Sequence, residues 1–180
     1  LVSKLSDDIL SKYKMYDENK IIVDKMPFNF KWIGLIKILF PKAKVIHSNR
    51  NPIDSAFSIY RNLFDTPGMG WAYNQDDLVK YVHLYNDLMS QWKKKLGKFI
   101  YEYHYERLVT NQIDETKKIL EFCNLEFEDK CINYTENKTT VSTVSISQAR
   151  QKIYKSSINL SNKYLDYFPF LNKIIKKKAP

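Results

Sequence analysis

Glycine is scarce in this chain, with four in 180 residues: Gly34, Gly68, Gly70 and Gly97. None lies in a G-x-x-x-x-G-K-[ST] pattern, so the sequence lacks that phosphate-cradling loop. Gly68-Met69-Gly70 is a G-x-G, but it follows a helix pattern and has no third glycine. Cysteine is also sparse. Cys123 and Cys131 form neither a disulfide framework nor a metal cluster, and both read as buried free thiols suited to a reducing compartment. No run is long and apolar enough to span a membrane, and no signal-peptide pattern appears, so a cytoplasmic location is expected. No internal repeat is present. Acidic residues are outnumbered, 20 against 29 Lys plus Arg, which leaves a net charge of +9. That surplus suits nucleic acid, an anionic membrane or a small, highly charged nucleotide. Part of it is local, because Lys173, Lys176, Lys177 and Lys178 crowd the last turn and tail. The first residue is Leu rather than Met, and the chain reads as a fragment or a processed product.

Against these absences, 44% of the residues are hydrophobic, enough for one domain with a real core. The stretch from Ile21 to Tyr60 organises it. Ile21-Ile22-Val23 is a β-type run that ends in Asp24-Lys25-Met26-Pro27. A helix pattern follows on Phe30, Ile33, Ile36, Leu39 and Phe40, and Pro41 stops it. A second strand spans Ala43 to His47, and a second helix begins after Asn51. Asn51 suits its cap, Pro52 its first turn, and Asp54 its positive end. Ile53, Ala56, Phe57, Tyr60, Leu63 and Phe64 form its apolar stripe. Strand–helix–strand–helix in this order is a βαβ unit, the building block of a parallel sheet. Lys25 and Arg50 then fall just past the ends of adjacent strands, where open α/β sheets bind ligands. Arg50 and Ser58 suit one anion near a helix start, since the guanidinium fork donates two hydrogen bonds at once.

The rest of the chain supplies packing elements. Ser3 to Asp17 reads as a helix, Asp65 to Asn74 as a loop, and Gln75 to Leu96 as the longest helix, with His83 on its surface side. Lys98 to His104 reads as a third strand, Asp114 to Cys123 as an amphipathic helix, Glu136 to Ser147 as an irregular loop, and Tyr164 to Lys178 as a short closing helix.

Several of these residues carry a resemblance. Asp24-Lys25-Met26-Pro27, Asn29-Phe30, Ile33-Gly34-Leu35-Ile36, Phe40-Pro41, Ala43-Lys44, Ile46-His47, Arg50, Pro52, Asp54 and Ser58 resemble the sulfotransferase family. The similarity is greatest to the branch of bacterial tetratricopeptide-repeat sulfotransferases and tyrosylprotein sulfotransferases. The resemblance implies that Arg50 and Ser58, of an R-x-P-x-D-x-x-x-S pattern, bind the 3′-phosphate of 3′-phosphoadenosine 5′-phosphosulfate (PAPS). It implies that Lys25, of a K-x-P pattern, contacts the transferring sulfonate. Tyr105-Glu106-Arg107-Leu108-Val109 is similar to a family Y-E-x-L-V whose Tyr lies along the nucleotide. Ser145 through Ser157 resembles the segment that folds over it, with Ser145 near the sulfonate and Arg150 and Tyr154 in the nucleotide-contacting stretch. Where the family often has Gly and Trp, this chain has Asn124 and Phe127, which read as packing positions. It often has Pro at Lys152 and Trp near Ser161, and the change at Ser161 implies a looser closure.

The resemblance implies an α/β fold of three layers, a mostly parallel sheet flanked by helices, like the P-loop NTPases. Residues 1–180 correspond to the C-terminal portion of the catalytic domain. The first strand, the Ser/Thr/Gly-rich turn for the 5′-phosphosulfate and the general base lie upstream in the family, so the chain alone is expected to be inactive. The implied reaction is sulfonate transfer from PAPS to an acceptor hydroxyl on a carbohydrate, lipid, small molecule or peptide tyrosine. No metal is expected, and tetratricopeptide repeats upstream are an implied companion. Two other readings stay open. One is a non-enzymatic basic domain binding nucleic acid, for which no fingerprint appears. The other is a nucleotide kinase of similar topology, which the missing phosphate loop disfavours.

Overall fold

The computed structural model describes residues 2–14, 21–64, 67–133, 135 and 151–175. Its regular elements in chain order are α1 (Val2–Lys14), α2 (Ile33–Leu39), β1 (Val45–Asn49), α3 (Pro52–Tyr60), α4 (Gln75–Leu96), β2 (Ile100–His104), α5 (Tyr105–Thr110), α6 (Gln112–Cys123) and α7 (Asn172–Ile175), joined by loops and short 3-10 turns. β1 and β2 pair as a small parallel sheet, so the chain is a mixed α/β protein. No described helix is long and apolar enough to cross a membrane. The chain divides into two compact units, Leu1–Val45 with Asp87–Tyr101, and Ile46–Asn86 with Glu102–Pro180.

In the first unit, a 3-10 turn (Pro27–Trp32) leads into α2. Pro27 at its start suits a position whose N–H would go unpaired in any case. The Trp92 indole N–H donates to the Phe30 carbonyl at 2.8 Å, which pins the ring over Gly34. A Cβ at Gly34 would sit 2.7 Å from that ring, so the close approach requires glycine. Ser6 Oγ donates to the Leu39 carbonyl at 2.9 Å and ties α1 to α2.

The second unit holds the larger described core. Ile53, Ala56 and Phe57 of α3 pack with Leu78, Val79 and Val82 of α4 and with Phe170, Leu171 and Ile174 near the C-terminus. Leu78 and Leu171 are fully buried, each contributing roughly 1.5–3 kcal/mol by leaving water. Phe57 stacks on Tyr164 at 4.7 Å between centroids, and Phe168 packs against both Phe57 and Tyr60. The C-terminal segment therefore clasps α3.

Several expectations need correction. Ile21–Val23 form no strand; the run is irregular, with Ile21 69% and Val23 84% exposed. Extended backbone becomes a strand only when its N–H and C=O groups find a ladder, and neither described strand pairs with this run. β1 starts at Val45 and continues through Asn49, two residues beyond the expected end, because pairing with β2 carries it on. α3 ends at Tyr60, and Leu63 is 83% exposed rather than part of the buried stripe. His83 is half-buried, and its Nε2 donates to the Ile174 carbonyl at 3.2 Å. Asn124 is a conformational rather than a packing position, since it caps α6 at φ 57°, a left-handed geometry that Asn tolerates and Gly favours. Both cysteines are free, but Cys131 is exposed. No helix starts at Tyr164. Turns run to Pro169, which lacks an N–H, and only α7 follows. The expected loop Glu136 to Ser147 lies outside the described residues. Trp71 of the Asp65 to Asn74 loop stacks on Tyr81 at 3.7 Å and 7°, so this part of the loop packs.

Candidate anion-binding site

Local chemistry builds the end of β1 into a helix start. The Asn51 side chain accepts from the N–H groups of Ile53 and Asp54 at 2.9 and 3.3 Å. Its backbone has ψ 120°, the extended geometry that a following proline favours. Its own N–H donates to Glu106 Oε1 at 2.8 Å, which fastens the start of α3 to α5. Arg50 is the residue between the strand and this cap.

Arg50 meets two later parts of the chain. Its Nη2 donates to the Ser157 carbonyl at 2.8 Å, and its guanidinium lies 4.9 Å over the Tyr105 ring. Its Nε is buried and finds no acceptor among the described residues. An unpaired buried donor on a cation costs more than about 1 kcal/mol unless something accepts from it. It sits one residue before the α3 cap, where the helix dipole favours negative charge although Asn51 already takes the N–H groups of Ile53, Asp54 and Ser55.

Tyr105 follows β2 directly, so the carboxyl ends of the two strands carry Arg50 and Tyr105 side by side. Burial pushes the Tyr105 phenol above its usual range. Arg50 opposes this through its charge, Tyr154 and Glu106 add to it, and a hydrogen bond with the Ser157 side chain lowers it. Arg50 and Tyr105 therefore meet at Ser157, with Tyr154 near enough to act on the Tyr105 phenol. Ser58 is half-buried on α3, and its carbonyl accepts from Asn62 Nδ2 at 2.6 Å. Lys25 belongs to the first unit; it is exposed, follows no strand, and has no ion-pair partner among the described residues. The expected placement of Lys25 past a strand end fails with the strand itself. Ser145 and Arg150 lie outside the described residues.

Three residues gain roles that sequence reasoning did not assign. Ser157 supplies both its carbonyl and its side chain to the cluster. Glu106 holds the N–H of Asn51. Asp54 does more than face the helix dipole. It is only 1% exposed and accepts from Asn159 N at 2.7 Å, Ser161 N at 2.9 Å and Ser161 Oγ at 2.6 Å. Ser161, also 1% exposed, is held by two of these bonds. The R-x-P-x-D spacing was the available signal for Asp54. A half-buried polar chain links Glu102 to His47 Nδ1 at 2.7 Å and His47 Nε2 to the Tyr85 hydroxyl. Burial, then the Glu102 charge, pushes the Tyr85 phenol up to about 12.

The fold defines the class: a mixed α/β protein, with Arg50 and the start of α3 at the carboxyl end of a parallel strand, the usual ligand position in open α/β sheets. A family model described as the sulfotransferase family matches residues 3–129, and the chain belongs to that family. An Aquifex aeolicus (strain VF5) protein described only as uncharacterized is 38% identical over 169 residues, which cover 91% of this chain and 22% of that protein. The chain thus spans about a fifth of the length of that relative.

Proposed function

We propose that residues 1–180 are the C-terminal portion of the catalytic domain of a PAPS-dependent sulfotransferase, of the tetratricopeptide-repeat and tyrosylprotein branch. In this reading the two-stranded sheet belongs to a larger three-layer, P-loop-like sheet completed by an upstream strand. The observation that carries it is the buried Arg50 Nε without an acceptor among the described residues, next to the α3 cap and the Tyr105 ring. A phosphate supplies the oxygens that such a donor lacks, and the ring offers a face for a nucleoside.

Arg50 and Ser58 anchor the 3′-phosphate, while Tyr105, Tyr154 and Arg150 line the nucleotide. PAPS supplies an activated sulfonate, whose bond to the phosphate oxygen breaks as an acceptor hydroxyl oxygen bonds to sulfur and gives its proton to the general base upstream. Lys25 neutralises charge developing on the leaving phosphate, with Ser145 beside the sulfonate; positioning and charge do most of the catalysis. The acceptor is a hydroxyl on a carbohydrate, lipid, small molecule or peptide tyrosine.

The test is sulfonate transfer from labelled PAPS to a panel of those acceptors. The 180-residue chain alone is expected to show none, and a protein extended upstream through a Ser/Thr/Gly-rich turn is expected to show it. Each missing charge-assisted bond to the 5′ end costs on the order of 1.5–3 kcal/mol, so losing several removes many powers of ten in rate. Robust turnover by the 180 residues alone would mean that the 5′ site lies within them.

A further inference from the structure

Asp54 has a place in no reacting group, yet it is among the most deeply buried polar residues described. A buried carboxylate is costly unless its lone pairs are used, and three donors from Asn159 and Ser161 use those of Asp54. Both donor residues lie just past Ser157, the residue that touches Arg50 and Tyr105. The backbone at Asn159 is left-handed, φ 56°, so the chain turns sharply between the two contacts. Asp54 and Arg50 sit four residues apart at the start of α3, and Ser157 and Ser161 four residues apart on the facing segment. The two pairs meet in order, Arg50 with Ser157 and Asp54 with Ser161, like two rungs.

We infer that Asp54 is a positioning residue that clamps residues 151–161 onto α3 and thereby holds Ser157 against Arg50 for nucleotide binding. This rests on the reading of Arg50 as a nucleotide anchor. Asp54 touches no ligand in this scheme. The segment enters the site at one place, Ser157, and its freedom there is set by the anchor a few residues on. With the anchor cut, the segment keeps the bond from Arg50 Nη2 to Ser157 and the aromatic packing that follows it but loses its nearest polar tie, so more of the ordering falls to the ligand, which weakens apparent affinity.

The test uses the protein in its full natural length with adenosine 3′,5′-bisphosphate as probe. Asp54→Asn keeps the shape but turns one acceptor into a donor facing N–H groups, and Ser161→Ala removes only the hydroxyl bond. We expect Asp54→Asn to weaken probe binding roughly 10- to 50-fold and Ser161→Ala roughly 2- to 5-fold, in that order, mainly through faster dissociation. Amide exchange at Asn159 and Ser161 is expected to speed up in Asp54→Asn without probe, and saturating probe should slow it again. A purely structural Asp54 would give faster exchange that probe does not restore, with affinity unchanged. That result, while Arg50→Ala still weakens binding, overturns the clamp alone. If Arg50→Ala leaves affinity unchanged, the nucleotide reading falls instead. Should Asp54→Asn fail to fold, Ser161→Ala decides: unchanged affinity and dissociation rate overturn the clamp.

Discussion

Replacing Arg50 by alanine separates an anchor for a ligand from an anchor for the fold. In the ligand-free protein the substitution removes the bond to the Ser157 carbonyl, about 1 kcal/mol, and the contact over Tyr105, about 0.5–1 kcal/mol. It also removes a buried Nε that lacks an acceptor among the described residues, which returns about 1 kcal/mol or more. These terms nearly cancel, so the unfolding free energy should change by less than about 1 kcal/mol in urea titration. Binding of adenosine 3′,5′-bisphosphate should instead weaken by about 2–4 kcal/mol, the worth of a bidentate charge-assisted contact. That is roughly 30- to 700-fold in dissociation constant. Titration calorimetry on the protein in its full natural length reads one quantity, and urea unfolding the other. Arg50→Lys keeps the charge without the planar fork and should recover only part of the affinity. Unchanged affinity with a large loss of stability would refute the reasoning and make Arg50 a structural residue tied to Ser157.

Other outcomes follow from the same coordinates. Lys25→Ala should lower turnover strongly while changing nucleotide affinity little, because its contact strengthens as charge develops; equal, small losses in both would assign Lys25 no catalytic part. Gly34→Ala should destabilise by roughly 1–2 kcal/mol in urea, since the new methyl meets the Trp92 ring and that ring is held by Phe30; a stabilised variant would mean the ring moves freely. For Tyr85 the folded state favours the protonated phenol, so its contribution is complete below pH 10 and lost as pH rises through about 12. The stability difference between the parent and Tyr85→Phe should therefore shrink over that window, and a constant difference would count against the shift.

Short-range chemistry is where the sequence was readable. Asn51, Pro52 and Asp54 mark the start of α3 through bonds within three residues, and the helix begins there. The period of α4 gave its bounds from Gln75 to Leu96, because a helix pairs its own backbone. A strand cannot do so. Ile21–Val23 had the composition of a strand and no ladder among the described residues, while β1 outran its expected end because β2 was there to pair with it. The site divided the same way. Arg50 and Tyr105 were legible from motif resemblance, but their company was not. Ser157 reaches Arg50, and Ser161 reaches Asp54, each across 107 residues. Neither periodicity nor capping encodes a contact at that separation. Packing of the C-terminal aromatics on Phe57 and Tyr60 brings that segment back to α3, and there the polar atoms of Asp54 and Arg50 meet it.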